Sequence, residues 1–191
     1  MNSLKRYAWV VPAIKRRLRR PFDLVMARYV HRSTLARVDF RTVQSVLFIC
    51  YGNICRSPLA ERLAIRQLRP LRVSSAGFHS RDGRSTPDNM KVAARTVGEA
   101  LEGWSSRTLD LENLESWDLI VLFDLDNFAR YKKLRRRNPN VLMCGLLAAE
   151  GNVEIDDPYG RGEPYAVLVA RQIQASVTGL SVLIGEKQPN G

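Results

Sequence analysis

A short apolar run that ends in a cysteine-containing turn constrains the fold of this chain most. Residues 46–49, Val-Leu-Phe-Ile, are aliphatic or aromatic without polar alternation, which is typical of a parallel strand buried on both faces. The chain then passes through Cys50 to Pro58, and a proline fits the first turn of a helix because its missing N–H breaks no hydrogen bond there. This order predicts the opening strand, turn and helix of an α/β fold.

Strands and helices alternate along the rest of the chain. Strands are predicted near residues 45–50, 71–76, 118–123 and 140–144. Helices are predicted near residues 58–69, 87–101, 125–137 and 163–184, the last from apolar residues at every third or fourth position. The pattern indicates a small doubly wound four-stranded parallel sheet with helices on both faces. A phosphate-binding loop after the first strand would lie at the carboxyl edge of the sheet, where such folds bind ligands.

The turn after the first strand has the residue types of an anion-binding loop. The predicted loop comprises Tyr51, Gly52, Asn53, Ile54, Cys55, Arg56 and Ser57. Gly52 and Asn53 tolerate the left-handed backbone that lets successive N–H groups point inward. Cys50 would then lie at a helix N-terminus beside Arg56, and both neighbours stabilise a thiolate. Arg56 can bind two phosphoryl oxygens at once, so the pattern indicates a phosphatase that forms a cysteinyl-phosphate.

Residues 50–58, Cys-Tyr-Gly-Asn-Ile-Cys-Arg-Ser-Pro, resemble the signature loop of the low-molecular-weight protein tyrosine phosphatases. A second signature of that family, an Asp-Pro pair near the C-terminal end, matches residues 157–158. Residues 73–77 and 117–124 agree with the same family. The resemblance covers residues 45–184, and two separated motifs in the right order are more specific than either alone.

The resemblance implies a double displacement on a phosphotyrosine protein, with Cys50, Arg56 and Asp157 as catalytic residues. Cys50 would attack phosphorus while protonated Asp157 gives its proton to the departing oxygen. The same aspartate would then activate the water that hydrolyses the thiophosphate. Ser75, Asp156 and Tyr159 are predicted to support the site, Asp156 because a like charge favours protonation of its neighbour.

Several residues depart from the usual family pattern. Tyr51 is bulkier than the usual aliphatic residue and is predicted to line the pocket, while Arg81 stands where many members have an aromatic wall. Trp104 stands where others have a polar residue. A single aromatic after Asp-Pro and the pair Gly83-Arg84 are similar to the bacterial branch that is paired with exopolysaccharide tyrosine kinases. A membrane-associated tyrosine kinase is therefore a candidate partner.

The residues leave three further functions open. An arsenate reductase on this fold needs additional cysteines downstream of the loop to relay a disulfide, and Cys144 is the one cysteine of this sequence outside the loop. A protein-arginine phosphatase would have threonine in place of Ile54, so the isoleucine favours phosphotyrosine. A silent anion-binding adaptor would not need Asp157. Within the loop, Cys55 is either a redox partner that protects Cys50 or a residue of simple packing.

The net charge of +11 is concentrated in residues 1–43, which carry +9, whereas residues 44–191 carry +2. This predicts a basic amphipathic extension, 1–43, before a catalytic domain, 44–191. Pro12 is expected to interrupt any continuous helix, with a second short helix after Pro21. Residues 1–30 are predicted to contact an anionic membrane surface; a solvated tail, a helix packed on the domain and a targeting peptide stay open. Nucleic-acid binding is not expected.

Composition bounds the remaining properties. Three cysteines and the lack of an export signal indicate a reducing compartment, so a cytoplasmic protein is expected. If the extension binds a membrane, the protein is expected to be held peripherally at its inner face. No apolar stretch is expected to reach the ~20 residues of a membrane span. His31 and His79 are far apart in the sequence, and neither a metal nor a cofactor is predicted.

Overall fold

The structure, a computed structural model, describes residues 10–135 and 137–185, with side chains from residue 17 onward. The strands are β1 (Ser45–Cys50), β2 (Arg72–Gly77), β3 (Leu119–Leu122) and β4 (Val141–Met143). The α-helices in the described ranges are α1 (Val10–Arg37), α2 (Arg56–Gln67), α3 (Asp88–Thr96), α4 (Leu125–Tyr131) and α5 (Glu163–Gly185). All strand pairs are parallel, in the order β2-β1-β3-β4.

Two hydrophobic layers enclose this sheet. Side chains of α2, α3 and α5 pack against one face, on Val46, Phe48 and Val121. Side chains of α1 and α4 pack against the other face, on Leu47, Ile49 and the neighbouring strands. Because successive residues of β1 point to opposite faces, the uninterrupted apolar run is explained by burial on both sides. The predicted doubly wound four-stranded α/β fold is confirmed.

Two helices end earlier than the sequence predicts. The predicted helix 87–101 ends at Thr96, since Gly98 adopts a left-handed backbone with φ of 76°. The predicted helix 125–137 ends at Tyr131, whose buried hydroxyl donates a hydrogen bond to the carbonyl of Asn138. Lys132 and Lys133, which follow α4, therefore lie in a turn instead of forming the last turn of the helix.

The expectation of two short helices in the basic extension is wrong for the described residues. A single helix, α1, runs from Val10 to Arg37 through Pro12 and Pro21. A proline inside a helix removes one hydrogen bond and crowds the preceding turn. Here that penalty is offset by tertiary packing, because one side of α1 is buried at Asp23, Ala27, His31 and Thr34. Among the interpretations left open, the helix packed on the domain matches this structure.

The buried side of α1 covers β4, an edge strand of the sheet. The N–H of Met143 donates to Nδ1 of His31 and the N–H of Val141 donates to Oγ1 of Thr34, each across 3.1 Å. Buried Asp23 accepts a hydrogen bond from Lys132, which follows α4. An exposed edge strand presents N–H groups to other chains, and side chains of α1 accept hydrogen bonds from two of them here.

The expectation that no stretch reaches the length of a membrane span is also wrong. By length and composition alone, α5 is long and apolar enough to cross a bilayer. Its side chains at Val169, Ile173, Val177 and Leu180 are, however, buried in the layer that α5 shares with α2 and α3. The same apolar stripe is what a central core helix requires, and α5 has that role here.

We expect the docking of α1 to weaken in acid through His31. Burial, with a smaller effect of Arg32, lowers the pKa of His31 to about 4 from its usual 6.5. Between these values the unfolded chain binds more protons than the folded chain. His31 therefore leaves the free energy of unfolding unchanged above pH 6.5 and lowers it as the pH falls below that value. The loss attributable to this residue is about 2 kcal/mol at pH 5.

Urea unfolding followed by circular dichroism at pH 7 and pH 5 measures this loss. In His31→Gln, which keeps an acceptor without titrating, the extra acid sensitivity should disappear while other groups titrate as before. Equal losses of unfolding free energy in both proteins would show that His31 does not cause the acid sensitivity.

Candidate active site

Cys50 ends β1, and the loop after it curls around the Cys50 sulfur. The N–H of Asn53 donates to Sγ across 3.2 Å, and Oγ of Ser57 lies 3.1 Å from the same sulfur. The Cys50 side chain is buried, and α2 begins at Arg56. A sulfur that faces a loop N–H, a hydroxyl and a helix N-terminus is placed where negative charge is stabilised.

Asn53 determines the shape of this loop. It is fully buried and has φ of 51°, the left-handed conformation that asparagine tolerates better than most residues. Its Nδ2 donates to Oγ of Ser57 at 2.9 Å and to Oγ of Ser75 at 2.7 Å. Its Oδ1 accepts from the N–H of Arg107 at 2.8 Å. Ser75, predicted to support the site, therefore contacts the loop through Asn53.

Two further residues brace the loop from behind, and the sequence pointed to neither role. The indole N–H of Trp104 donates to the carbonyl of Asn53 across 2.8 Å, and the Arg107 guanidinium lies over the Trp104 ring. At Gly77, the end of β2, a Cβ atom would lie 2.9 Å from both the Asn53 nitrogen and the Tyr51 carbonyl oxygen. Only glycine lets β2 approach the loop this closely.

Arg56 is buried, with 1% of its side chain exposed, and is surrounded by acceptors. Its Nη1 donates to Oδ2 of Asp124 at 2.6 Å and to the carbonyl of Ile155 at 2.8 Å. Its Nη2 lies 3.0 Å from Oδ2 of Asp157. Burial alone would lower the pKa of Arg56, but the charges of Asp124, Cys50 and Asp157 outweigh it and raise that pKa. The guanidinium is therefore always charged.

Asp124 has two structural roles that the sequence did not reveal. One carboxylate oxygen accepts the N–H of Asn127 at 2.6 Å and so caps the N-terminus of α4. The other accepts from Arg56. The turn after β3 is thereby fixed against the turn after β1. An aspartate directly before a predicted helix is a signal for the capping role, whereas the pairing with Arg56 has no local signal.

Asp157 lies across the loop from the sulfur. It borders a cavity of about 250 Å³ together with Cys50, and 44% of its side chain is exposed. Its Oδ1 accepts the N–H of Tyr159 across 3.2 Å. Asp156 points elsewhere, since its Oδ2 accepts the hydroxyl of Tyr165 at 2.7 Å. Of the two neighbouring aspartates, Asp157 is the one that reaches both the cavity and Arg56.

Aromatic side chains form the walls of this cavity. Tyr51 and Tyr159 line it, as does His79, whose ring meets the Tyr51 ring edge-on with centroids 5.8 Å apart. The Arg130 guanidinium lies 4.6 Å from the Tyr51 centroid. Arg81 is exposed and is not among the residues that line this cavity; its backbone N–H donates to Nδ1 of His79. His79 contributes to that wall, a role that its neighbours in the sequence did not indicate.

A second guanidinium lies at the cavity. Arg84 also lines it and donates a hydrogen bond to the carbonyl of Gly52. Within the described chain, the buried Nε of Arg84 and that of Arg56 have no hydrogen-bond partner. Each of these two arginines thus has an Nε–H group beside the loop that is available to donate a hydrogen bond to a ligand. The described residues include no group of three or more His, Cys, Asp or Glu side chains that could hold a metal ion.

Cys55 is buried in the loop beneath the cavity. Burial raises the pKa of its thiol, and the charges of Asp157 and Cys50 act in the same direction. Cys55 therefore remains a neutral thiol at physiological pH. Both loop cysteines and Cys144 are free thiols in this structure, and the redox role of Cys55 stays a prediction.

The basic extension reaches this site through Arg20 on α1. Arg20 forms an ion pair of 2.5 Å with Glu154, whose other oxygen accepts the N–H of Leu125 at 3.0 Å. Arg20 and Asp157 border a second cavity of about 360 Å³ that adjoins the first at Tyr51. A residue outside the catalytic domain predicted from the sequence thus contributes to the surroundings of the site.

Comparison with known proteins agrees with this geometry. The family model for the low molecular weight phosphotyrosine protein phosphatases matches residues 45–190. The low molecular weight protein-tyrosine-phosphatase Etp of Escherichia coli K12 is 32% identical over 121 residues, which are 62% of this chain and 80% of Etp. The tyrosine phosphatase AmsI of Erwinia amylovora has a crystal structure that matches with a TM-score of 0.63 and 26% identity, over 73% of this chain and 91% of AmsI.

A relative with a different named activity has the same fold. The YwlE arginine phosphatase of Geobacillus stearothermophilus matches with a TM-score of 0.60 over 71% of this chain and 89% of its own, at 22% identity. That likeness shows the fold alone. The family match includes both signatures found in the sequence, at residues 50–58 and 157–158, and the resemblance is confirmed. The chain belongs to the low molecular weight phosphotyrosine protein phosphatase family.

Proposed function

We propose that this chain is a phosphoric monoester hydrolase that removes phosphate from phosphotyrosine in proteins through a cysteinyl-phosphate. Residues 44–191 would form the catalytic domain and residues 1–43 its basic extension. One observation supports the proposal most. The Cys50 sulfur and Asp157 border a single cavity, and Arg56 pairs with Asp157 at its edge. This proximity supports Cys50 as the nucleophile, Asp157 as the proton donor and Arg56 as the group that binds the phosphoryl oxygens.

In the first step, the Cys50 thiolate attacks phosphorus and the bond from phosphorus to the phenolic oxygen breaks. The Asp157 carboxyl gives its proton to that oxygen, so the product leaves as neutral phenol. Arg56 and the loop N–H groups receive the charge on the equatorial phosphoryl oxygens. The proposed cysteinyl-phosphate remains in the loop.

In the second step, a water molecule attacks phosphorus and the bond from phosphorus to sulfur breaks. Asp157, now a carboxylate, accepts a proton from that water. The sulfur leaves as a thiolate, which the N–H of Asn53 and the hydroxyl of Ser57 stabilise from 3.2 and 3.1 Å. Inorganic phosphate is the second product.

The ion pair between Arg56 and Asp157 has a consequence for this cycle. In the structure Nη2 of Arg56 lies 3.0 Å from Oδ2 of Asp157. A bound phosphoryl dianion would compete for the guanidinium and bring its own negative charge towards Asp157. The contact between Arg56 and Asp157 would then weaken, which leaves the Asp157 side chain free to turn towards the leaving oxygen. Substrate binding itself would therefore prepare Asp157 to donate.

The cavity walls support an aromatic phosphate ester as substrate. Tyr51, His79 and Tyr159 offer aromatic surface above the loop, which suits a phenyl ring. Ile54 also lines the cavity and offers no hydrogen-bonding group to a guanidinium. These features favour phosphotyrosine over phosphoarginine.

An arsenate reductase and a silent adaptor have less support than a phosphatase. Cys144 is fully buried, and burial raises the pKa of its thiol to about 12, which does not suit the thiol relay of an arsenate reductase. A silent adaptor would have no use for Asp157 between Arg56 and the cavity.

For partners, we propose a phosphotyrosine protein, with a membrane-associated tyrosine kinase as candidate. We also propose a cytoplasmic location in which residues 1–30 contact the inner face of the membrane. The basic charge of the extension supports this contact, because residues 1–43 carry +9 of the net +11.

We expect Cys50→Ser to lose hydrolysis of p-nitrophenyl phosphate by at least about 10³-fold, because a serine hydroxyl is a much weaker nucleophile than a thiolate. Release of p-nitrophenol without added metal measures this. Cys144→Ala is the matched control and should retain activity, since Cys144 lies outside the loop. Wild-type turnover by Cys50→Ser would exclude the proposed nucleophile.

Asp157→Ala should slow the first step by about 10²–10⁴-fold. The decrease should be greater for phenyl phosphate than for p-nitrophenyl phosphate, because the poorer leaving group depends more on the proton. Inorganic phosphate should still inhibit the variant, and the neighbouring change Asp156→Ala should have a small effect. A rate that does not depend on the leaving group would argue against Asp157 as the acid.

Ile54→Thr should shift the substrate preference towards phosphoarginine. A hydroxyl at the cavity floor can accept a hydrogen bond from a guanidinium, so the ratio of kcat/KM for phosphoarginine to phosphotyrosine peptides should rise by about tenfold or more. Ile54→Val, which removes a methylene without adding a polar group, is the control. An equal ratio in all three proteins would exclude Ile54 from substrate choice.

A further inference from the structure

The exposed side of α1 carries an apolar stripe that the described chain leaves largely open, although Nζ of Lys132 lies 5.3 Å from the Phe22 ring centroid. Leu18, Phe22, Val25 and Tyr29, here called the outer stripe, are 76, 61, 66 and 66% exposed. Their spacings of four, three and four residues align them on one side of the helix. This side lies opposite the one that packs on β4, so α1 is buried on one face and apolar on the other.

The length of the outer stripe distinguishes it from ordinary surface residues. Single exposed apolar side chains are normal on proteins. Four in line over twelve residues, with eleven steps of 1.5 Å between the first and the last, extend for about 16 Å along the helix. A contiguous exposed apolar surface of this kind is typical of an interaction site. The outer stripe lies on a convex helix and not in a groove. A broad partner surface therefore fits it better than a single peptide segment does.

The charges around the outer stripe indicate the chemistry of its partner. Arg17, Arg28 and Arg32 are exposed on α1. The one acidic residue of α1 is Asp23, which is buried and paired with Arg19 and Lys132. The exposed side of the helix therefore combines apolar side chains with arginines and presents no carboxylate. Such a surface complements an apolar layer beneath anionic groups.

We propose that the outer stripe docks on an anionic lipid bilayer, with α1 lying in the plane of the interface. Phe22 and Tyr29 would insert beside Leu18 and Val25, and the arginines would meet the lipid phosphates and carboxylates. A second copy of the chain is a poorer occupant, since pairing two such helices would bring their arginines together. This inference rests on the membrane contact of the proposed function and assigns it to a defined face.

The position of α1 also orients the active site. Arg20 lies on the same helix and borders the cavity that adjoins the site at Tyr51 and Asp157. Docking along α1 would therefore place the site about one helix diameter, ~10 Å, from the lipid surface. Phosphotyrosines in segments close to the membrane would be the accessible substrates.

Co-sedimentation of the full chain with vesicles tests this surface. We expect binding to vesicles of phosphatidylcholine with phosphatidylserine, weaker binding at high salt, and little binding to phosphatidylcholine alone. The double change Phe22→Ser with Val25→Ser should lower the partition coefficient at least about tenfold, because two inserted apolar groups are lost. The double change Arg28→Gln with Arg32→Gln should weaken binding to the anionic vesicles to a similar extent.

Leu168→Ser with Val182→Ser is the matched control, since both residues are comparably exposed on α5. It should bind vesicles like wild type. Unchanged binding by the Phe22/Val25 variant, or no binding by wild type, would overturn the proposal. A dimer in sedimentation velocity that the same variant dissociates would instead identify a second copy as the occupant. All variants should hydrolyse p-nitrophenyl phosphate at the wild-type rate, which separates this outcome from failure of the proposed chemistry.

Discussion

The guanidinium of Arg56 connects three segments that are distant in the sequence. Arg56 is the first residue of α2, directly after the loop. Its guanidinium binds Asp124 at the start of α4 and contacts Ile155 and Asp157 in the segment before α5. A buried charge is tolerated only when carboxylates and carbonyls replace its water, so these segments must converge on it. The turns that carry the proposed nucleophile and the proposed acid are thereby held at one edge of the sheet.

The loop around Cys50 depends on a second buried group, the amide of Asn53. The Asn53 side chain joins the loop to α2 through Ser57 and to β2 through Ser75. The backbone carbonyl of the same residue accepts a hydrogen bond from the indole N–H of Trp104. All of these contacts join groups of the protein itself. The loop is thus held in shape by its own surroundings, which is what the proposed stabilisation of a developing charge requires.

The extension links fold stability with the surroundings of the site. On one side, α1 covers the edge of β4 through His31 and Thr34. Further towards its N-terminus, Arg20 pairs with Glu154, close in sequence to Asp157. On the other side, it presents the outer stripe. A helix that is buried on one face and apolar on the other can join a catalytic domain to a surface without a flexible linker.

The sequence alone determined the parallel α/β fold, the family, and the loop from Cys50 to Ser57, because strand, turn and helix signals are read within a few neighbouring residues. It also singled out Asp157, by its Asp-Pro pair. The tertiary structure decided what periodicity cannot specify: Asp124 as the partner of Arg56, Trp104 behind Asn53, His79 in the cavity wall, and a continuous α1 through Pro21. Those outcomes depend on which distant elements pack together, since buried charges and edge strands take their partners from the whole fold.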